Sequence, residues 1–335
     1  MIGDANNFKK QLKDLGISSG AIDAVWPIWW SDDANSSKSA QVELRFSVAR
    51  KLGLSPRSVI GEESPVFVWR HEAKFKGLNV YNDTQESALA SFAIALARYL
   101  TKACPPRSDV QLSSLSASAL RTSILKQSDY VSLPDLLATC WGLGIPVIHL
   151  RVFPLSAKRM TALVVKHCGR HVIFIGKDSS YPAPTAYHLA HEMGHIARQH
   201  FSTSEVIVDL DEPIEMVDRD DDELEADAYA LELLTGQSQP TIEMNAPANN
   251  GAELAYAVRI AARERQIEPG TLALCYGHQT GEWNVSYSAL AQIYRERHDV
   301  WKFINRIAAK ELELDILEEG TQLYLKAVLG AAEFA

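Results

Sequence analysis

The chain has 335 residues, 47% of them apolar, which is enough to bury a core and too many for one small domain. It is acidic, with 42 Asp+Glu against 33 Lys+Arg and a formal charge of -9, which excludes a whole-chain basic footprint for nucleic acid and leaves only a local patch. The start, MIGDANNFKKQ, lacks the basic and apolar regions of a signal peptide, and no apolar run has the length of a bilayer span, so a cytoplasmic protein is expected. Cys104, Cys140, Cys168 and Cys275 show no CxxC spacing and are expected as thiols.

Up to about Gly61 the pattern predicts interrupted helices: Phe8 to Leu15, Ala21 to Trp30 broken near Pro27, and Gln41 to Leu52 closed by Gly53. Within VARKLGLSPRSVI (48–60) a Gly-centred turn and a second helix, with Ser55 as N-cap and Pro56 at its first position, make a helix-turn-helix-like unit. PVFVW (65–69) is expected to be extended. Ser87 to Leu100 reads as an amphipathic helix, residues 104–117 as a break, Leu133 to Gly142 as a helix and IPVIHL (145–150) as a strand. TALVVKHC and RHVIFIG flank Gly169 as a hairpin. Helices are then expected over Thr185 to His200 and Asp221 to Leu234, joined by an acid-rich linker. More helices follow Asn250, punctuated by Pro269-Gly270, Gly277 and Gly281.

The segment AYHLAHEMGHIARQH carries the chemistry. His191 and His195 lie four apart, on one face of a helix and about 5 to 6 Å from each other at Cβ, so two imidazoles can meet one zinc ion. Glu192 leaves the helix roughly 100° from His191, where it flanks the metal and can act as general base toward water. Gly194 fits a small residue beneath a crowded site. A pattern this short recurs by chance, but Leu189, Ala190, Ile196 and Ala197 mark a buried helix, in which two histidines and a glutamate are costly without a ligand.

A catalytic zinc commonly takes three protein ligands. DDELEADAYALELL offers Glu223 as the third, with Asp227 one turn on to accept an N–H from a ligand histidine, while Glu225 is expected to point elsewhere. Asp220 to Asp222 read as a solvated acidic run.

HEMGH followed by ELEADAYALELL resembles the ImmA/IrrE family of metallo-endopeptidases, a gluzincin-like group with an HExxH helix and an E-x-E-A-[ND]-x-[FY]-A helix. The likeness extends over roughly residues 65 to 295 through Ser87 to Leu100, LPDLLATCWGLGIPVIHL, the hairpin and IEPGTLALCYGHQTGEWNVSYSAL. Tyr229 stands where Phe is commoner, and the first 60 residues have no counterpart. The resemblance implies His191, His195 and Glu223 as zinc ligands and Glu192 as base. It also implies cleavage of a specific protein partner, such as a helix-turn-helix repressor, in stress, mobile-element or phage-defence regulation. In zincin-like sites a peptide adds to a strand beside the metal, and His171, Val172, Ile173, Phe174 and Ile175 are the expected edge strand.

Weaker signals remain. A thiolate from Cys104, in KACPPRSD, could cap the zinc as a cysteine switch, against the alternative of a cysteine at a helix end. Cys140 and Cys275 read as core. Arg50, Lys51 and Arg57 could contact phosphates as in XRE-type regulators, against a docking bundle without DNA binding. Trp26, Trp29 and Trp30 read as core or interface, and His188 and His200 as donors to the transition state. The expected protein is thus α+β: a helical N-terminal module (1–64), a zincin-like metallopeptidase domain (65–245) holding one zinc per chain, and a helical C-terminal region (246–335). The competing class is a non-catalytic DNA- or protein-binding regulator with a zinc site on a peptidase-derived fold.

Overall fold

The computed structural model describes residues 4–60, 64–69, 73–76, 82–104, 108–156, 160–201, 206–210, 221–242 and 248–334. The prolines of KACPPRSD and the linker 211–220 lie outside them. The protein is α+β, with one five-stranded mixed sheet among many helices. The strands are β1 (Ala73–Lys76), β2 (Val147–His149), β3 (Met160–His167), β4 (Arg170–Ile175) and β5 (Val206–Leu210), ordered β1-β5-β3-β4-β2. The β3–β4 hairpin turns on Cys168 and Gly169, whose φ of 50° and 76° are the paired left-handed conformations that match the twist of two antiparallel strands.

Two expectations about strands fail. β4 is not an edge: Ile173, Phe174 and Ile175 pair with β2 on one side, and His171 to Ile175 with β3 on the other. Its backbone groups are spent within the sheet and cannot receive a peptide. β5 lies in the stretch expected as a linker, and β1 carries no expectation from the sequence. They pair in parallel across a long stretch of chain, Ala73 with Val206 through Lys76 with Asp209.

The sheet is covered on both faces, which is why β3 is buried over Met160 to Val165 and β4 over Val172 to Ile175. Successive residues of β4 report the two sides. Arg170 donates to the carbonyls of Thr101 and Cys104 at the end of the helix Asp83–Ala103. His171 instead packs on Phe201, just past the helix Pro182–Arg198, with ring centroids 5.2 Å apart. Asp83–Ala103 begins before the expected Ser87 because Asn82 and Gln85 form a capping box. Leu133–Gly142 matches expectation, opened by Ser132 and Asp135 in the same way.

The helix-turn-helix-like pair is Lys38–Leu52 and the five-residue Pro56–Ile60. Its cations divide between packing and surface, with Arg57 exposed. Lys51 is buried, donates to the Val25 carbonyl at 3.3 Å and lies over the Tyr324 ring, and Arg50 pairs with Glu43 on the surface. Gly53 has φ 70°, and a Cβ there would overlap the backbone of Ser91. The pair is therefore docked against the long helix. Trp26 and Trp30 pack against the core, whereas Trp29 is 46% exposed.

One apolar cluster joins the N-terminal helices, the sheet, and the last helices, Val300–Glu311 and Glu319–Val328. A second, smaller cluster unites Gly251–Arg265, Pro269–Thr280 and Trp283–Tyr294. Gly277 does not punctuate: it lies inside its helix, where a Cβ would meet Ser286. Arg121 joins the two parts. Its guanidinium donates to the carbonyls of Leu234 and Gln266 at 2.7 and 2.6 Å, and to those of Leu233 and Arg265 at 3.2 and 3.4 Å. Among the described residues no helix is long and apolar enough to cross a membrane.

Candidate metal centre

Two helices make the site. The first, Pro182–Arg198, opens on a proline suited to a first helical turn and is buried from Leu189 to Ile196. The second, Asp221–Thr235, buries Ala226, Tyr229, Ala230, Leu233 and Leu234, and the two cross closely. Gly194 explains how: a Cβ there would stand 2.8 Å from the carbonyl oxygen of Ala226. The small residue beneath the crowded site admits the partner helix's backbone.

That approach brings the expected ligands together. One donor atom each from His191, His195 and Glu223 falls within 4.8 Å of the others, a group able to hold a metal ion. The Nε2 atoms of His191 and His195 face each other at 3.0 Å. Glu223 straddles them, Oε2 at 3.4 Å from His191 Nε2 and Oε1 at 3.4 Å from His195 Nε2. His195 and Glu192 have no exposed surface.

The far side of each imidazole decides which nitrogen offers a lone pair. His191 Nδ1 lies 2.9 Å from Asp227 Oδ1, and a carboxylate only accepts, so Nδ1 carries the proton and Nε2 is bare. Tyr187 donates its hydroxyl to the same Asp227 oxygen at 2.5 Å and fixes that carboxylate. On the other histidine, His195 Nδ1 meets His200 Nδ1 at 2.8 Å. At His200 Nε2 stand Glu225 Oε2 at 3.5 Å and Asp222 Oδ1 at 3.9 Å. These carboxylates favour the proton on His200 Nε2, so that His200 Nδ1 accepts from His195 Nδ1–H and leaves His195 Nε2 bare as well. Both imidazoles thus turn lone pairs toward the Glu223 carboxylate, an arrangement suited to a cation.

The expected residues fall into place unevenly. Asp227 stands where the spacing put it. His200 orients His195, because the helix ends at Arg198 and Gln199, at φ 61°, turns the chain so that His200 N–H donates to the His195 carbonyl. Glu225, expected elsewhere, reaches His200. Tyr187 went unread, although its place four before His191 put it on the same face. His188 stacks edge-on to Tyr187, ring centroids 5.8 Å apart.

Cys104 cannot cap this site. It is buried at the end of Asp83–Ala103, where Arg170 holds its carbonyl, on the face of the sheet opposite Pro182–Arg198. Cys140 and Cys275 are buried as expected, and burial pushes each thiol up to about 12.

Searches of family models, curated proteins and solved structures found no match to this chain. The site therefore stands on its geometry.

Proposed function

We propose that this chain is a zinc-dependent endopeptidase on a zincin-like core, acting in the cytoplasm on a specific protein partner such as a helix-turn-helix repressor. The observation that carries the reading is the pairing of three lone-pair donors with a buried carboxylate, Glu192, that is not one of them. The donor set suits zinc: tetrahedral bonds of about 2.0 to 2.1 Å place ligand atoms roughly 3.3 Å apart, and both Glu223 oxygens stand 3.4 Å from their histidine nitrogens.

Zinc held there would lower the pKa of water toward about 7 and polarise the scissile carbonyl. His191, His195 and Glu223 would hold the ion, and Asp227 and His200 keep the imidazoles turned toward its place. Glu192 takes the proton of the attacking water on a carboxylate oxygen and returns it to the departing amine. β1 is the strand for the substrate backbone. Among the described residues it pairs on one side only, and Lys74 ties it to Asp222, next to Glu223, at 2.5 Å. At the other edge Asn305 already bonds the His149 N–H and carbonyl, both at 2.7 Å.

Glu192→Gln keeps the shape of the side chain and removes the base. The variant should hold its zinc, bind its partner and cleave it about 10²- to 10⁴-fold more slowly. Incubating the trapped partner with wild-type protein provides the check. A captured protein that wild type leaves intact would favour the competing reading, a binding regulator with a zinc site.

A further inference from the structure

Away from the metal centre, a cleft of about 530 Å³ opens between the start of Pro182–Arg198 and the start of Val300–Glu311. This volume is in the range of sites for small organic ligands, about 300 to 1,000 Å³. Arg297, His298, Lys302 and Arg306 all line it. Against them stands a single lining carboxylate, Asp299, which pairs with Lys302 at 3.1 Å. Arg306 donates to the Phe334 carbonyl, a neutral partner that leaves its charge uncompensated. Three fixed positive charges therefore face one negative charge, in a chain whose net charge is -9. Phe303, on the same wall, is 42% exposed and offers a flat apolar face.

We infer that this cleft binds a phosphate-bearing small molecule with a flat aromatic body, of the nucleotide class. Guanidinium forks match phosphate oxygens two at a time, so Arg297 and Arg306 hold the phosphates and Lys302 adds a point charge. Phe303 stacks on the aromatic body. An excess of about two positive charges matches a phosphate dianion. Phe303 beside the cations favours a ligand with a flat body over an extended acidic peptide. The cleft also touches the proposed catalytic helix: Pro182 is its first residue and lines the wall, and the His298 N–H donates to the Ser180 carbonyl just before it at 3.0 Å. An effector role for the ligand rests on the peptidase reading; the binding does not.

Isothermal titration of the full chain with inorganic phosphate, pyrophosphate and ADP tests the site, with circular dichroism and metal content as controls on folding. ADP should bind more tightly than pyrophosphate, and pyrophosphate more tightly than phosphate. Arg297→Ala/Arg306→Ala should weaken ADP by about tenfold or more, and Phe303→Ala should weaken ADP but not pyrophosphate. Arg57→Ala, an exposed cation elsewhere, should change nothing. Absence of ADP binding, equal affinity in the double variant, an equal loss in Arg57→Ala, or tighter binding of a poly-glutamate peptide than of ADP would each overturn the inference.

Discussion

Two helix pairs in this protein carry polar residues into the interior, and they use them differently. In Lys38–Leu52 with Pro56–Ile60, the buried cations end on backbone carbonyls: Arg45 on Val59 at 2.9 Å and Lys51 on Val25 at 3.3 Å. Each also lies over a ring, Arg45 on Phe8 and Lys51 on Tyr324. These two cations go to separate carbonyls and rings rather than to one point, and the result is a packed joint. In Pro182–Arg198 with Asp221–Thr235, polar groups converge on one point, and each of the two imidazoles is held from behind by another polar group. Burial is common to both pairs. Convergence marks the site.

The strongest way to break this contrast is Glu223→Ala. It removes one of three donors and should cost most of the bound zinc, read by elemental analysis of protein purified without added metal. Unchanged zinc would place the third ligand elsewhere. Removing the groups behind the ligands sharpens the picture, since such partners are worth about 10- to 100-fold in metal affinity. Asp227→Asn and His200→Ala should each fall in that range by competition with a chelator. A loss in only one of them would show that one imidazole is oriented without help.

Much of this was legible beforehand, and what was not has physical causes. The HExxH spacing, the E-x-x-x-D spacing and the hairpin around Gly169 are local patterns, so the residues of the candidate metal centre and the β3–β4 pair could be read from the chain. The sheet order could not. Val206 to Asp209 pairs with Ala73 to Lys76, far off in sequence, and β2, whose parallel pairing takes β4 off the edge, lies before β3 in the chain, so that neither pairing is a local pattern. Cys104 was placed by its neighbours in sequence, which do not reveal that a sheet separates it from the metal helix. His200 depended on Gln199 adopting a left-handed conformation that its residue type does not announce.

Each pair packs over a glycine, Gly194 against Ala226 of its partner helix and Gly53 against Ser91 of the long helix, which gives a third test. Gly194→Ala and Gly53→Ala each force a methyl into backbone and should destabilise by about 1 to 3 kcal/mol in urea unfolding. Only Gly194→Ala should also release metal. Equal metal retention in the two variants would mean that the crossing at Ala226 does not set the ligand geometry.

The smallest effect is one of pH and belongs to the joint. Burial lowers the Lys51 ammonium from 10.5 to about 8, with Glu318 opposing and Arg50 reinforcing the shift. Between those values the unfolded chain holds a proton that the folded chain has given up, so this residue makes stability rise as pH climbs from 8 to 10.5. Lys51→Met should flatten that part of the urea-midpoint profile relative to wild type and leave metal content unchanged. A profile parallel to wild type would show that Lys51 does not titrate in this window.

Arg121 gives the molecule a fulcrum. One guanidinium grips the far end of the rod that carries Glu223 and also the end of a helix in the smaller apolar cluster. A rod of 15 residues spans about 22 Å and bends little over that length. A small tilt of the smaller cluster about Arg121 therefore travels to the opposite tip as a displacement of the carboxylate against the two imidazoles. Glu223 is thus anchored near its own end by the crossing at Ala226 and at the other end of the rod by Arg121.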